Sequence, residues 1–214
     1  MTRFDAVLFD LDGTLLDSVA LILESYRHTL AHHGLPERPE AEILAGLGTT
    51  LEDQFRRWVE DEVSVGALID TYIEHNLAVH DEYVRAYPGV SELVRALHGA
   101  GTPLAIVTSK RRRGTELGVA ALGLTECFRM WVCADDVQNP KPHPEPVHMA
   151  LEALGVDAAR TAFVGDATHD LHAGNAAGVT TVAVTWGAAP EDALIAAEPN
   201  ALVRDADALR AALT

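Results

Sequence analysis

The feature that most narrows the fold is a recurrence. Short apolar runs, each about the length of one buried strand, end in acidic or hydroxyl-bearing residues and give way to stretches with helical periodicity. The runs lie at 6–9 (AVLF), 104–107 (LAIV), 130–133 (MWVC), 161–164 (TAFV) and 181–184 (TVAV). Helical patterns occupy 90–99, 112–122, 146–154 and 169–177, several closed by a glycine such as Gly99, Gly123, Gly155 or Gly178. Continuous apolar runs suit strands covered on both faces, so the alternation predicts a doubly wound α/β layout around a mostly parallel sheet.

One stretch breaks the alternation. From about Asp17 to Tyr87 only helical periodicity is present, punctuated at Gly34-Leu35-Pro36, Gly46-Leu47-Gly48 and Ser64 and closed by Pro88-Gly89. That is too much helix for one crossover connection. The expected organisation is a core made of 1–15 and 86–214 with an α-helical cap domain over 16–85. The cap is expected to open and close on linkers near 15–18 and 85–89, excluding water during reaction and then releasing product.

Composition excludes several classes of partner. With 48% hydrophobic and 22% charged residues the chain reads as globular rather than disordered. Sixteen basic against 32 acidic side chains leave a formal charge of −16. Such a surface repels phosphate backbones and anionic headgroups, which disfavours nucleic-acid and membrane partners unless a basic face is segregated. The densest basic run is only Arg111-Arg112-Arg113. No apolar segment reaches the roughly 18 residues of a membrane span, and the first ten residues are too often interrupted for a signal sequence. A cytoplasmic protein is expected. Cys127 and Cys133 have neither redox nor zinc spacing and read as reduced, packed thiols.

The chemistry concentrates after the apolar runs. Asp10-Leu11-Asp12-Gly13-Thr14 follows the first, and residues two apart in extended chain point the same way. Strand ends of an open α/β sheet form its usual ligand crevice. Asp-x-Asp-Gly is also ordinary turn chemistry. Two carboxylates so close imply a shared proton, a metal ion, or both. A second pair, Asp166 and Asp170, follows the run at 161–164; Asp170 lies one helical turn on and faces the same way. An acidic first turn also suits the helix dipole, but four carboxylates together make the hard, oxygen-rich set that Mg²⁺ favours. Thr108-Ser109 offers hydroxyl and backbone donors to an anion at another strand-to-helix turn. Lys141, between prolines in Asn139-Pro140-Lys141-Pro142-His143-Pro144, reaches the same sheet edge from a stiff loop.

These four elements, in this order and with a helical insert after the first, resemble the haloacid dehalogenase-like (HAD) hydrolase superfamily along the whole chain. The resemblance implies a Rossmann-like core, Mg²⁺ as cofactor, a small phosphorylated substrate and an aspartyl-phosphate intermediate. It makes Asp10 the nucleophile and Asp12 the general acid and then base, with the Asp12 backbone carbonyl on the metal. Thr108 would hold a phosphoryl oxygen, Lys141 would neutralise charge, and Asp166 would bind Mg²⁺ with Asp170 in support. Substrate contacts are expected from Thr14, Ser109, Lys110, Gly48, Thr49 and Asn76. Ala167 stands where the superfamily often has Ser or Asn, which implies one missing supporting hydrogen bond. Asp12 separates the chain from the superfamily's 2-haloacid dehalogenases, where the residue two past the nucleophile is not acidic.

For the substrate, Tyr72-Ile73-Glu74-His75-Asn76, His80-Asp81-Glu82, Ser25-Tyr26-Arg27-His28-Thr29-Leu30 and Lys141-Pro142-His143-Pro144-Glu145-Pro146-Val147 are similar to the superfamily's inorganic pyrophosphatases. Pyrophosphate would need cations for its second phosphate, and Lys110, Arg111, Arg56 and Arg57 are the candidates; Arg56 and Arg57 equally suit an exposed helix face. His75, Asn76 and His80 equally suit cap packing. Phosphoglycolate phosphatases share the motifs and cap type, and Thr185-Trp186-Gly187 suits them too. A sugar-phosphate mutase and a non-catalytic phosphate-binding module complete the alternatives.

Overall fold

A computed structural model of the protein describes residues 3–214. In chain order its elements are β1 (Ala6–Phe9), β2 (Leu16–Asp17), α1 (Val19–His32), α2 (Glu40–Leu44), α3 (Leu51–Arg56), α4 (Glu62–Tyr83), β3 (Arg85–Ala86), α5 (Val90–Gly99), β4 (Leu104–Val107), α6 (Arg112–Ala121), β5 (Met130–Val132), α7 (Glu145–Leu154), β6 (Thr161–Gly165), α8 (Thr168–Ala177), β7 (Thr180–Val184), α9 (Glu191–Ala196), β8 (Ala201–Val203) and α10 (Ala206–Leu213).

Six strands form one parallel sheet in the order β5-β4-β1-β6-β7-β8. The chain starts in the middle at β1, builds outward through β4 and β5, and then returns to build the other half. The point where the order reverses therefore lies beside β1, and a crevice opens at its carboxyl end. All four β1 residues are fully buried because both faces of the sheet are covered. Val7 and Phe9 pack with Ile106, Leu93 and Leu209 on one side, whereas Leu8 packs with Val107, Phe163 and Val147 on the other. This alternation is the two-residue period of a strand written into the core.

The helices α1 to α4 have an apolar core of their own. Tyr26, Phe55, Leu68 and Tyr72 are its centre, with Tyr26 ring centroids 4.7 Å from Tyr72 and 5.3 Å from Phe55. Aromatic pairs at such separations add to the burial of their area. Caps define the helix starts: Thr50 Oγ1 accepts from the Asp53 backbone N–H at 3.1 Å, and Asp61 accepts from that of Ser64 at 2.8 Å. Ser64, expected as a break, thus lies inside the first turn of α4. The chain leaves the core through β2 and returns through β3, and these two strands pair antiparallel, Leu16 with Ala86 and Asp17 with Arg85.

Other differences from expectation are local. Strand β5 stops at Val132, because Cys133 turns into a short 3-10 segment, Ala134–Asp136, and its backbone N–H is held by the Asp136 carboxylate at 2.8 Å. Gly99 is the last residue of α5, and the left-handed residue beyond it is Gly101 at φ 82°. The closing unit of α9, β8 and α10 has no counterpart in the expected elements, since its strand is only three residues long. Cys127 and Cys133 are free and buried. Among the described residues no helix is long and apolar enough to cross a membrane.

Candidate active site

Asp10 is the first residue past β1, where its backbone N–H still bonds Val164 of the neighbouring β6 at 2.9 Å. Asp166 directly follows β6, and Asp170 lies in the first turn of α8, with one carboxylate oxygen accepting from the Ala167 backbone N–H at 3.0 Å. Lys141 arrives from the loop before α7. Its ammonium donates to Asp10 Oδ1 at 2.8 Å, Asp170 Oδ1 at 2.5 Å and the Val107 carbonyl at 3.2 Å, with the Phe163 ring 5.9 Å away. One cation therefore ties together the ends of β1 and β4 and the first turn of α8. All four charged groups are at most 5% exposed.

Burial without full compensation shows in the proton affinities. Desolvation pushes Asp10 up to about 7, with Lys141 opposing and Asp170 adding to the rise. Asp166 is held well above the usual carboxylate range, first by burial and then by Asp170 and Asp10. For Lys141 burial works against the charge, yet Asp10 and Asp170 outweigh it and hold the ammonium protonated. Oxygens of Asp10, Asp166 and Asp170 all lie within 4.8 Å of one another. Three buried carboxylates facing one ammonium leave a surplus of negative charge in an all-oxygen donor set, and a hard divalent cation fits that surplus. The backbone around Asp166 is shaped for close approach: a Cβ on Gly13 or Gly187 would fall 2.2 or 2.1 Å from its carboxylate.

Asp12 has a different environment. Its carboxylate accepts from Ser18 Oγ at 2.6 Å and from Lys110 Nζ at 3.0 Å through both oxygens. It is not one of the three clustered carboxylates, so any part it takes in holding a metal falls to its backbone carbonyl.

A cavity of about 340 Å³ lies over these groups, between the sheet edge and α1 to α4. Asp10, Asp12, Thr108, Ser109, Lys110, Lys141 and Asp166 line it from the core, and Gly48, Thr49 and Asn76 from the helical side. Ser109 Oγ donates to the Gly48 carbonyl at 2.7 Å, a direct bond across the seam. Gly48 has φ 90°, and a Cβ there would fall 2.9 Å from that of Ala167. Glycine facing alanine is what lets the two loops touch. Thr49 donates to the Gly46 carbonyl at 2.7 Å, Asn76 donates to Ser25 Oγ at 3.0 Å, and Thr108 Oγ1 accepts from the Lys110 backbone at 3.2 Å.

Some expected residues lie elsewhere. Thr14, expected to contact substrate, is fully buried, does not line the cavity and gives its hydroxyl to Asp166 Oδ1 at 3.0 Å. Its contribution is to orient Asp166. Arg56 is exposed and paired with Glu62 at 3.0 Å, and neither it nor Arg57 reaches the cavity. Arg111 does line it, ion-paired with Glu52. His75 stacks on His28 at 3.8 Å and His80 bonds Asp81 at 2.8 Å; neither is in the lining. Sequence reasoning missed Ser18 and the Ala188 backbone N–H, which donates to Asp166 Oδ2 at 3.2 Å. The glycine in Thr185-Trp186-Gly187 was the available signal for the latter.

Comparison with known proteins agrees with this geometry. A family model described as haloacid dehalogenase-like hydrolase matches residues 7–184. The chain is 40% identical over 202 residues to the pyrophosphatase PpaX of Halalkalibacterium halodurans, covering 94% of this chain and 93% of that one. It is 39% identical over 203 residues to PpaX of Bacillus pumilus, at 95% and 93% coverage. Among solved structures it is similar to one described as a predicted phosphoglycolate phosphatase from Haemophilus somnus 129PT, with TM-score 0.89, 26% identity and 99% of both chains covered.

Proposed function

This chain belongs to the haloacid dehalogenase-like hydrolase family, and from that premise we propose that it is a Mg²⁺-dependent phosphohydrolase that cleaves inorganic pyrophosphate. The observation that carries the reading is the buried set of Asp10, Lys141, Asp166 and Asp170 under a cavity that Asp12 also lines.

In this reading Lys141 fixes Asp10 through Oδ1, and Oδ2 attacks phosphorus in line to form an aspartyl-phosphate. Asp12, steadied by Ser18 and Lys110, passes a proton to the departing oxygen and then takes one from the water that splits the aspartyl-phosphate. Asp10, Asp166, Asp170 and the Asp12 carbonyl would hold the ion, which when bound supplies the charge that lets carboxylates and phosphate oxygens share one space. Thr108 receives a phosphoryl oxygen, Lys110 and Arg111 at the rim face the second phosphate, and Ser109, Gly48, Thr49 and Asn76 enclose it. The helical unit 16–85 acts as a cap over the core of 1–15 and 86–214, keeping water out during transfer. Likeness to the Haemophilus protein favours phosphoglycolate as the second candidate.

Phosphate release by the purified chain from pyrophosphate, phosphoglycolate, sugar phosphates and nucleotides tests this. Pyrophosphate should have the highest kcat/KM, chelation of the metal should stop release, and Asp10→Asn should lower it by about a thousandfold or more. Equal turnover across the panel would sink the pyrophosphatase reading. Unchanged release by Asp10→Asn would sink the covalent mechanism.

A further inference from the structure

The two walls of the cavity differ in chemistry. Its floor and one rim are charged, and the rim cations all come from the segment after β4. Each is already engaged by an acid: Lys110 by Asp12, Arg111 by Glu52 and Arg113 by Glu116. The roof, contributed by α1 to α4 and the loop before α3, is apolar at Ile22, Tyr26, Leu47, Tyr72 and Ile73, with Asn76 among them and Glu52, paired with Arg111, at its edge. No Lys or Arg reaches the cavity from the roof helices. A volume of about 340 Å³ falls in the roughly 300–1,000 Å³ range of sites for small organic ligands, which are likewise apolar with polar groups gathered at one end. A phosphate pressed against this roof would lose its hydration and gain no countercharge, whereas hydrocarbon would gain by leaving water. Pyrophosphate bound along the charged rim leaves the apolar side chains of the roof unused.

We propose that the same site also hydrolyses phosphomonoesters whose leaving alcohol carries an apolar aliphatic or aromatic group, with the roof as the recognition surface for that group. The proposal rests on the phosphohydrolase reading of Asp10 and Asp12. The ester P–O bond breaks as a bond from phosphorus to Asp10 forms, and the alcohol leaves with the proton from Asp12. Water then supplies the oxygen that displaces Asp10 and returns a proton to Asp12, so the net change is ester plus water to alcohol plus phosphate.

A series of n-alkyl phosphates from methyl to octyl isolates the roof, because leaving-group reactivity hardly changes while apolar area grows. With Mg²⁺ present, kcat/KM should rise about threefold to fourfold per methylene until the roof is filled, in line with the transfer of one buried methylene. Non-hydrolysable n-alkylphosphonates should inhibit release from pyrophosphate with the same chain-length trend, a measurement that needs no variant. Leu47→Lys, at a half-buried loop position, should cut the ratio of hexyl phosphate to pyrophosphate efficiency at least tenfold. Pyrophosphate hydrolysis with flat ester and phosphonate series would overturn this proposal and leave the pyrophosphatase reading intact. A rising series that Leu47→Lys does not alter would overturn the assignment to the roof. Absence of release from every substrate would overturn both readings together.

Discussion

Across the cavity, floor and roof are held in place by different means. In the floor, Asp10, Lys141, Asp166 and Asp170 sit in hydrogen bonds of 2.5 to 3.2 Å to one another, to Thr14 and to backbone groups at the end of β4 and just after β6 and β7. Lys141, Asp166 and Asp170 are each held by at least two such bonds, and Asp10 is held through Lys141. In the roof, Asn76 has its one side-chain bond to Ser25, and the remaining surface is shaped by packing around Tyr26, Phe55 and Tyr72. In the proposed reading this contrast divides the labour: a reaction that needs charges at fixed spacings is built on strand ends, and the choice of what enters falls to helices that only need to fill space.

The strongest challenge to that division is Phe55→Ala, which empties a fully buried site in the helical core and should cost about 3–5 kcal/mol. Hydrogen exchange should then accelerate across 19–83 while β6 keeps its protection. Equal loss in both regions would mean that they share one core. Next is the charge in the floor. A carboxyl that rises from 3.8 to about 7 on folding, as Asp10 does, makes the folded chain bind more protons than the unfolded one, so without metal stability falls as pH climbs from 3.8 toward 7. Mg²⁺ should therefore raise the melting midpoint by several degrees at pH 8 and far less at pH 5, given roughly 2–4 °C per kcal/mol for a chain of this size. Equal shifts at both pH values would remove uncompensated carboxylates from the account.

Smaller effects probe the seam and the cap surface. Gly48→Ala puts a Cβ against Ala167 in a left-handed backbone and should cut kcat/KM about tenfold, from strain of about 1–3 kcal/mol. An unchanged rate would detach that loop from the site. Arg56→Ala removes an exposed ion pair and should leave the melting midpoint unchanged, with activity within about twofold. A large activity loss would return Arg56 to the substrate cations.

The same division explains what was legible in the sequence. Asp10 and Asp12, or Asp166 and Asp170, are near neighbours in the chain, so their spacing alone puts them at one sheet edge, and their apolar strands announce themselves as uninterrupted runs. Lys141 was readable from its stiff, proline-flanked loop after the third apolar run of the core. Thr14 was misjudged because sequence adjacency does not reveal that its hydroxyl meets Asp166 across 152 positions. Arg56 and Arg57 stayed open between substrate contact and an exposed face, because the rotation of a short helix is set by packing partners far away in the chain. The roof was invisible as a surface: Ile22, Leu47 and Tyr72 belong to different elements, and only tertiary packing gathers them. The last strand escaped because three residues carry too little periodicity to register.

The paired strands β2 and β3 put the point where the chain leaves the core beside the point where it comes back. Topologically the entire helical unit is a side branch whose chain leaves and re-enters the core at a single two-rung junction. Nothing in the sheet has to be rethreaded when that branch is shortened, enlarged or exchanged for another. In the proposed reading, the reactive centre could thus be inherited intact while the roof over it is replaced, so a lineage built on this scaffold could change its diet without relearning its chemistry.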